Sequence, residues 1–208
     1  MYNRKIYLDE SNQDFIYANS ILKNIDFALV SLANIFDFEE NYTSSYGDEH
    51  TFYFFHIQSI LTACGCIADN FYPHGIYGKD ITQRGIRLRH LFGITKNKFP
   101  LVFQKEARNT NIHYDERYDR FFAGVGDYNL IRKDTPLDTK NYICSNPHLR
   151  TYDTNRRTYL TYDRNLRQIE YNFETLQEEL LAMRDRIQQN PITNSAWVDQ
   201  PLNENITK

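Results

Sequence analysis

Three side chains in the stretch 105–122 could carry out chemistry on a phosphate ester: Arg108, Asn109 and His113. Histidine is the side chain whose unperturbed pKa lies closest to neutrality, so His113 could accept and donate protons there. Arginine is a permanent cation, and the forked donors of Arg108 suit phosphate oxygens. Together they would supply a proton carrier and a charge stabiliser, which phosphodiester cleavage requires. Because RNA already contains the nucleophile, its 2′-hydroxyl, such cleavage would need no metal.

The same stretch also fits a non-catalytic interpretation. It contains eight formally charged side chains, and helix faces that combine Arg, His, Asp and Glu are often salt-bridged surfaces. On a helix, Asn109 and His113 would share one face, which Glu116, Arg117 and Arg120 would continue. The residue types therefore leave catalysis and a structural surface both open.

Residues 108–117 resemble a family motif. Arg-Asn-Thr-Asn-Ile-His at 108–113 fits the R-x4-6-H motif of the HEPN superfamily, and the Tyr-Asp-Glu-Arg run that follows resembles one in some bacterial HEPN-like proteins. The resemblance implies a metal-independent endoribonuclease whose two identical subunits form one cleft from both motif helices. It further implies that His113 is the general acid and base, that Arg108 stabilises the phosphate charge, and that Asn109 orients His113 or the scissile group. The products would carry 2′,3′-cyclic phosphate and 5′-hydroxyl ends.

The resemblance also implies a biological setting, namely defence or toxin–antitoxin systems, with an antitoxin or another regulatory protein as a partner besides the RNA substrate. Some toxin members have a modified tyrosine two residues after the histidine, but that position is Asp115 here. Since several HEPN-like proteins are non-catalytic, a helical dimer that binds a nucleotide, RNA or a protein is the alternative function. A structural protein assembled through the apolar seam 169–187 is a third.

Charge is unevenly distributed along a chain whose formal net charge is −3. Residues 1–49 carry a net charge of −6, and residues 79–108 carry +6. The basic segment is compatible with a polyanion site of limited extent, or with a solvated face that balances the acidic segment. Arg156, Arg157 and the tyrosines of 149–162 could bind single-stranded RNA through charge and stacking. Alternatively, the hairpin that contains them could extend a dimer interface. The residues predicted to bind substrate are Arg84, Arg87, Arg117, Arg156 and Arg157.

Other chemistries find little support. Cys64 and Cys66 are separated by one residue without a second cysteine pair, no HExxH motif occurs, and the glycines form no phosphate loop, so we expect neither metal nor cofactor. Three cysteines and an N-terminus without an apolar signal region predict a cytoplasmic protein without a disulfide framework. The apolar stretch 27–36 is too short to span a membrane.

The elements that would position these residues are mainly helices. Apolar residues recur at steps of three and four, which predicts helices over 15–36, 54–71, 80–93, 100 to 124 or 126, and 169–187. Capping boxes at 11–14 and 80–83 would begin the first and third of them. A hairpin is predicted at 149–162. The sequence thus predicts a mainly all-α domain over 1–190, a bundle of four or five helices with a small β-hairpin insertion before the last helix, and a flexible C-terminal tail at 191–208.

Overall fold

A computed structural model describes residues 10–41, 49–112, 129–132, 150–163, 165 and 167–194. Its helices are α1 (Glu10–Asn41), α2 (Glu49–Phe71), α3 (Lys79–Phe92), α4 (Lys105–Ile112), α5 (Phe173–Gln188) and α6 (Pro191–Asn194), with a 3-10 turn at Gly75–Tyr77. Its strands are β1 (Asn129–Arg132), β2 (Arg150–Asp153), β3 (Thr158–Tyr162) and β4 (Gln168–Asn172). The prediction of a mainly helical fold with a small sheet before the last long helix is confirmed.

Helices α1 and α2 form the centre of the fold and run antiparallel. Phe38 near the end of α1 stacks on Phe52 near the start of α2 at 4.3 Å between ring centroids. Of the apolar series that predicted α1, Ala18, Ile25 and Leu32 are fully buried, whereas Leu22 and Leu29 are partly buried and pack against the core. The part Thr51–Phe71 of helix α2 is long and apolar enough to span a membrane. However, 61% of its apolar 18-residue window is buried inside the fold, which is typical of a core helix.

The last long helix packs against α1 and begins later than predicted. Its apolar seam is completely buried from Phe173 to Ile187. Ile169, however, lies on β4, where exposed and buried side chains alternate with the period of two that is typical of a strand. The N-cap of α5 is Asn172, whose side-chain oxygen accepts a hydrogen bond from the Thr175 N–H at 2.9 Å. Periodicity alone therefore merged a strand with the helix that follows it.

The four strands form one sheet in the order β1-β2-β3-β4. Strands β2 and β3 are the predicted hairpin, β4 pairs antiparallel with β3, and β1 pairs parallel with β2. One face of the sheet is apolar because Tyr152, Tyr159 and Tyr171 turn their rings into the core, each at most 1% exposed. The sheet therefore covers the helices with aromatic rings.

Several predicted boundaries are wrong. Helix α1 already includes Glu10, so Ser11 is not its cap, and α3 is preceded by Gly78, which makes no side-chain capping bond. Helix α4 begins at Lys105, because residues 99–103 form turns that include Pro100. The first residues of the predicted tail form α6, with Ile192 packed on the core. The predicted continuation of α4 over 113–126 and the remainder of the tail lie outside the described residues.

Candidate functional site

Arg108 lies in the second turn of α4, and its side chain reaches across to α2. Its Nη1 is 2.9 Å from Oδ2 of Asp69. The Arg108 side chain is 25% exposed, whereas that of Asp69 is 48% exposed, so the ion pair lies at the edge of the fold. The motif arginine is thus held in place by a carboxylate that the motif does not contain.

Gly65, one helical turn before Asp69, allows this arrangement. A Cβ atom at residue 65 would lie 2.3 Å from Nε and 2.4 Å from Cδ of Arg108. The arginine side chain therefore rests directly on the backbone of α2, where any side chain larger than hydrogen would meet it. We call Gly65 and Asp69 the Arg108 seat. The sequence signal for the seat was a glycine and a carboxylate four residues apart in an otherwise apolar helix, and sequence reasoning missed it.

Arg108 also lines a small cleft of about 10 Å³, which has room for about one water molecule and is partly open to solvent. Gly65, Lys105 and Tyr171 contribute to its walls, together with apolar residues of α2. The Nε of Arg108 is buried and has no hydrogen-bond partner among the described residues. The cleft therefore combines an apolar floor with two cations in its wall, and an anion larger than a water molecule would have to bind at its rim.

The segment that leads into α4 is fixed by α5 and β4. The carboxylate of Glu179, only 8% exposed, accepts hydrogen bonds from the backbone N–H groups of Leu101 and Val102 at 3.0 Å. The hydroxyl of Tyr171 donates to the carbonyl of Leu101 at 2.7 Å. Since residues 101–104 connect directly to α4, these bonds determine where Arg108 lies relative to α2.

The environment of Glu179 makes stability depend on pH. Burial raises the pKa of Glu179 above its usual 4.5, and the two backbone hydrogen bonds oppose this only in part. The folded protein therefore binds the proton more tightly than the unfolded chain, so the contribution to stability is full below about pH 4.5 and is lost as the pH rises through the raised pKa.

We expect Glu179→Gln to remove this pH dependence, because glutamine cannot ionise. The difference in the free energy of unfolding between wild type and variant should favour the wild type most at and below about pH 4.5 and shrink as the pH rises towards neutrality. Urea denaturation at a series of pH values measures it. Glu178→Gln, at an exposed position on the same helix, is the matched control. A Glu179→Gln difference that is as flat with pH as that of the control would contradict the assignment.

Cys64 is a core thiol at the floor of the cleft. It is 3% exposed, and burial raises its pKa to about 12, so the thiol stays protonated at neutral pH. A protonated thiol is neither a nucleophile nor a metal ligand. Among the described residues, no three histidine, cysteine or acidic side chains lie close enough together to hold a metal ion.

Of the other two predicted catalytic residues, the structure describes Asn109 but not His113. Asn109 follows Arg108 on α4 and is half-buried. His113 lies outside the described residues, as does Arg117. Their geometry relative to Arg108 therefore stays a prediction.

The structure brings one predicted substrate residue close to Arg108 and directs another away from it. Arg84 donates to the backbone carbonyl of Asp69 at 3.4 Å, so Arg84 and Arg108 meet at the same residue of α2. Arg87 instead forms a forked ion pair with Asp14 of α1, which is 5% exposed. Arg87 thus ties α3 to α1.

The arginines of the hairpin lie at the opposite end of the fold. Arg157 forms ion pairs with Glu39, Glu40 and Glu174, of which the Glu39 contact is 2.9 Å. Arg156 lies 3.6 Å from a carboxylate oxygen of Glu170. Three carboxylates around Arg157 give this place a net negative charge, which disfavours a phosphate.

Helix α1 separates the two groups of arginines. Arg84 contacts the hydroxyl of Tyr17, and Arg157 contacts Glu39, 22 residues further along the same helix. At 1.5 Å per residue the two places are about 33 Å apart along the helix axis. Within one chain, the four predicted substrate arginines that the structure describes (Arg84, Arg87, Arg156 and Arg157) therefore do not form one surface. No protein-family model, curated protein or solved structure matches the chain.

Proposed function

We propose that this protein is a metal-independent endoribonuclease of the HEPN type that cleaves RNA to 2′,3′-cyclic phosphate and 5′-hydroxyl ends. One observation supports the proposal beyond the motif itself. The motif arginine, Arg108, is held by Gly65 and Asp69 at the rim of a cleft, where a quarter of its side chain stays open to solvent. An arginine fixed in this way is available to a phosphate without having to be ordered first.

In the proposed reaction His113 removes the proton from the 2′-hydroxyl, and the resulting oxygen attacks phosphorus. The bond to the 5′-oxygen breaks, and the leaving oxygen takes a proton from the imidazolium of the same or the partner histidine. Arg108 stabilises the charge on the phosphate oxygens as the transition state forms, and Asn109 orients the histidine or the scissile group. The protein acts as a homodimer in the cytoplasm, in a defence or toxin–antitoxin setting, and this part of the proposal follows from the family resemblance.

A second function is favoured by the same ion pair. Asp69 compensates the charge of Arg108 at 2.9 Å, so Arg108 could serve chiefly to fasten α4 to α2. In that case the protein is a non-catalytic helical dimer that binds a nucleotide, RNA or a protein partner.

The two functions are separated by incubating a mixed RNA pool with purified protein in excess EDTA and mapping the cut ends chemically. If the protein is a ribonuclease, the wild type produces cyclic-phosphate ends, and His113→Ala lowers the rate about 10²- to 10⁴-fold because the proton carrier is lost. Arg108→Ala should lower it about 10²- to 10³-fold, since one charge-stabilising group is removed.

Arg150→Ala is the matched control, because this arginine lies over Phe54 near the start of α2, away from Arg108, and should leave the rate unchanged. Sedimentation of each variant reports whether the dimer persists. Absence of cleavage by the wild type, with all variants sedimenting as the same dimer, would overturn the ribonuclease proposal in favour of the binding function.

A further inference from the structure

The C-terminal end of α2 is surrounded by cations that come from later parts of the chain. Arg84 donates to the carbonyl of Asp69 at 3.4 Å, and Arg89 donates to the carbonyl of Phe71. Lys105 donates to the carbonyl of Tyr72 at 3.2 Å. The ring of Tyr72 lies under two cations, with Arg89 at 4.3 Å and Lys96 at 4.7 Å from its centroid. We call Arg84, Arg89, Lys96 and Lys105 the α2-end cations.

The backbone carbonyls at the end of α2 explain why cations gather here, but these carbonyls leave most of the positive charge uncompensated. The last turn of α2 contains no basic residue, and its free carbonyls carry the partial negative charge of about half an electron that is typical of a helix C-terminus. Carbonyls and an aromatic ring remove little of four full positive charges. Among the described residues, no ion pair joins an α2-end cation to a carboxylate, whereas Arg87 is paired with one carboxylate and Arg157 with three.

The α2-end cations are continuous with the candidate site. Lys105 lines the same cleft as Arg108 and lies three residues before it on α4. Arg84 shares Asp69 with Arg108. Lys96 is exposed at the outer edge of the group. Positive charge thus extends from the cleft over the end of α2, a local concentration that attracts a polyanion.

We propose that the α2-end cations bind the sugar–phosphate backbone of single-stranded RNA and lead it to Arg108. The inference rests on the proposed function, because it assigns the path of the substrate at that same site. An RNA strand fits better than an acidic protein segment because the group of cations leads to the exposed part of Arg108, the arginine that is proposed to hold a phosphate. Binding through phosphates makes affinity independent of base sequence and strongly dependent on salt.

The test measures binding of a 2′-O-methyl RNA of about 12 nucleotides, a length typical of single-strand sites, which cannot be cut because its 2′-hydroxyls are blocked. The affinity of the wild type is measured against salt concentration by fluorescence anisotropy. Each phosphate contact should contribute about 0.7 to the slope of log affinity against log salt, or about fivefold in affinity near 0.1 M salt. We therefore expect Lys96→Gln to lose about fivefold and Lys96→Gln with Lys105→Gln about 25-fold.

The matched control is Arg150→Gln, which removes one positive charge over the ring of Phe54 near the start of α2, the end opposite to the α2-end cations, and should leave affinity unchanged. Lys96 is exposed, so Lys96→Gln alone remains informative if the double variant is unstable. Unchanged affinity and slope in the lysine variants would overturn the proposal, and so would equally tight binding of a polyglutamate peptide of the same charge, which would indicate an acidic protein partner. A wild type that binds this RNA but cuts no natural RNA would overturn the ribonuclease proposal alone.

Discussion

Gly65→Ala is expected to lower RNA cleavage about 100-fold while leaving the protein as stable as the wild type. The new Cβ would occupy the place of Nε and Cδ of Arg108, at 2.3 and 2.4 Å, so the guanidinium must leave its seat. Losing one positioned charge-stabilising group typically costs about 10²- to 10³-fold in rate. Cleavage of an RNA substrate at saturating concentration, compared between the two proteins, measures this loss.

The stability of the same variant follows from two opposing effects. Alanine in a helix interior is more favourable than glycine by about 0.5–1 kcal/mol. The loss of an ion pair at the protein surface costs about 0–1 kcal/mol. The free energy of unfolding should therefore change by less than about 1 kcal/mol, because the atoms that must move belong to the far end of a flexible side chain.

Gly85→Ala is the matched control, since it makes the same change inside another helix. Here the Cβ would lie 2.5 Å from Cδ of Pro73 and 2.9 Å from the carbonyl oxygen of Phe71, so a ring and the backbone must shift. We expect this variant to lose about 1–3 kcal/mol of stability through overpacking. Full cleavage activity in a folded Gly65→Ala protein would mean that the seat of Arg108 has no role in the reaction.

Arg157→Ala is expected to destabilise the fold by about 3 kcal/mol without weakening RNA binding, in contrast to the sequence-based expectation that Arg157 binds substrate. Its guanidinium contacts Glu39 at 2.9 Å, and the Glu39 side chain is only 10% exposed. Burial already raises the pKa of Glu39, although hydrogen bonds from Tyr152 and Arg157 oppose this. Without the arginine, a nearly buried carboxylate would lose its counter-ion while Glu174 still repels it.

Arg156→Ala provides the comparison for this prediction. The Arg156 side chain is 44% exposed and forms one ion pair, with Glu170 at 3.6 Å. Its removal should therefore change the free energy of unfolding by no more than about 0.5 kcal/mol. Urea denaturation of the two variants measures the difference, and anisotropy with the uncleavable RNA measures binding. A stable Arg157→Ala protein with weakened RNA affinity would return the hairpin arginines to the substrate surface.

Sequence patterns were most informative where local forces decide the structure. The period of apolar residues in α1 and α2 predicted the faces that are buried, because a helix of this length has to cover an apolar stripe whatever it packs against. The hairpin predicted at 149–162, with its strand Thr158–Tyr162, followed from turn chemistry and alternation. Ile169 fits both the alternation of β4 and the apolar period of the helix that follows, so the sequence could not separate strand from helix there. Pairing of β4 with β3 decided that Ile169 belongs to a strand.

The sequence by itself determined the helical class, the buried faces and the motif that begins at Arg108. Only the tertiary structure decided which charges lie together, because ion pairs join residues that are far apart along the chain. Arg108 is paired with Asp69, Arg87 with Asp14, and Arg157 with three glutamates, and the predicted substrate arginines that the structure describes lie towards two ends of α1. The seat on Gly65 depends on the close approach of two helices, a distance that packing determines and that no spacing within one helix encodes.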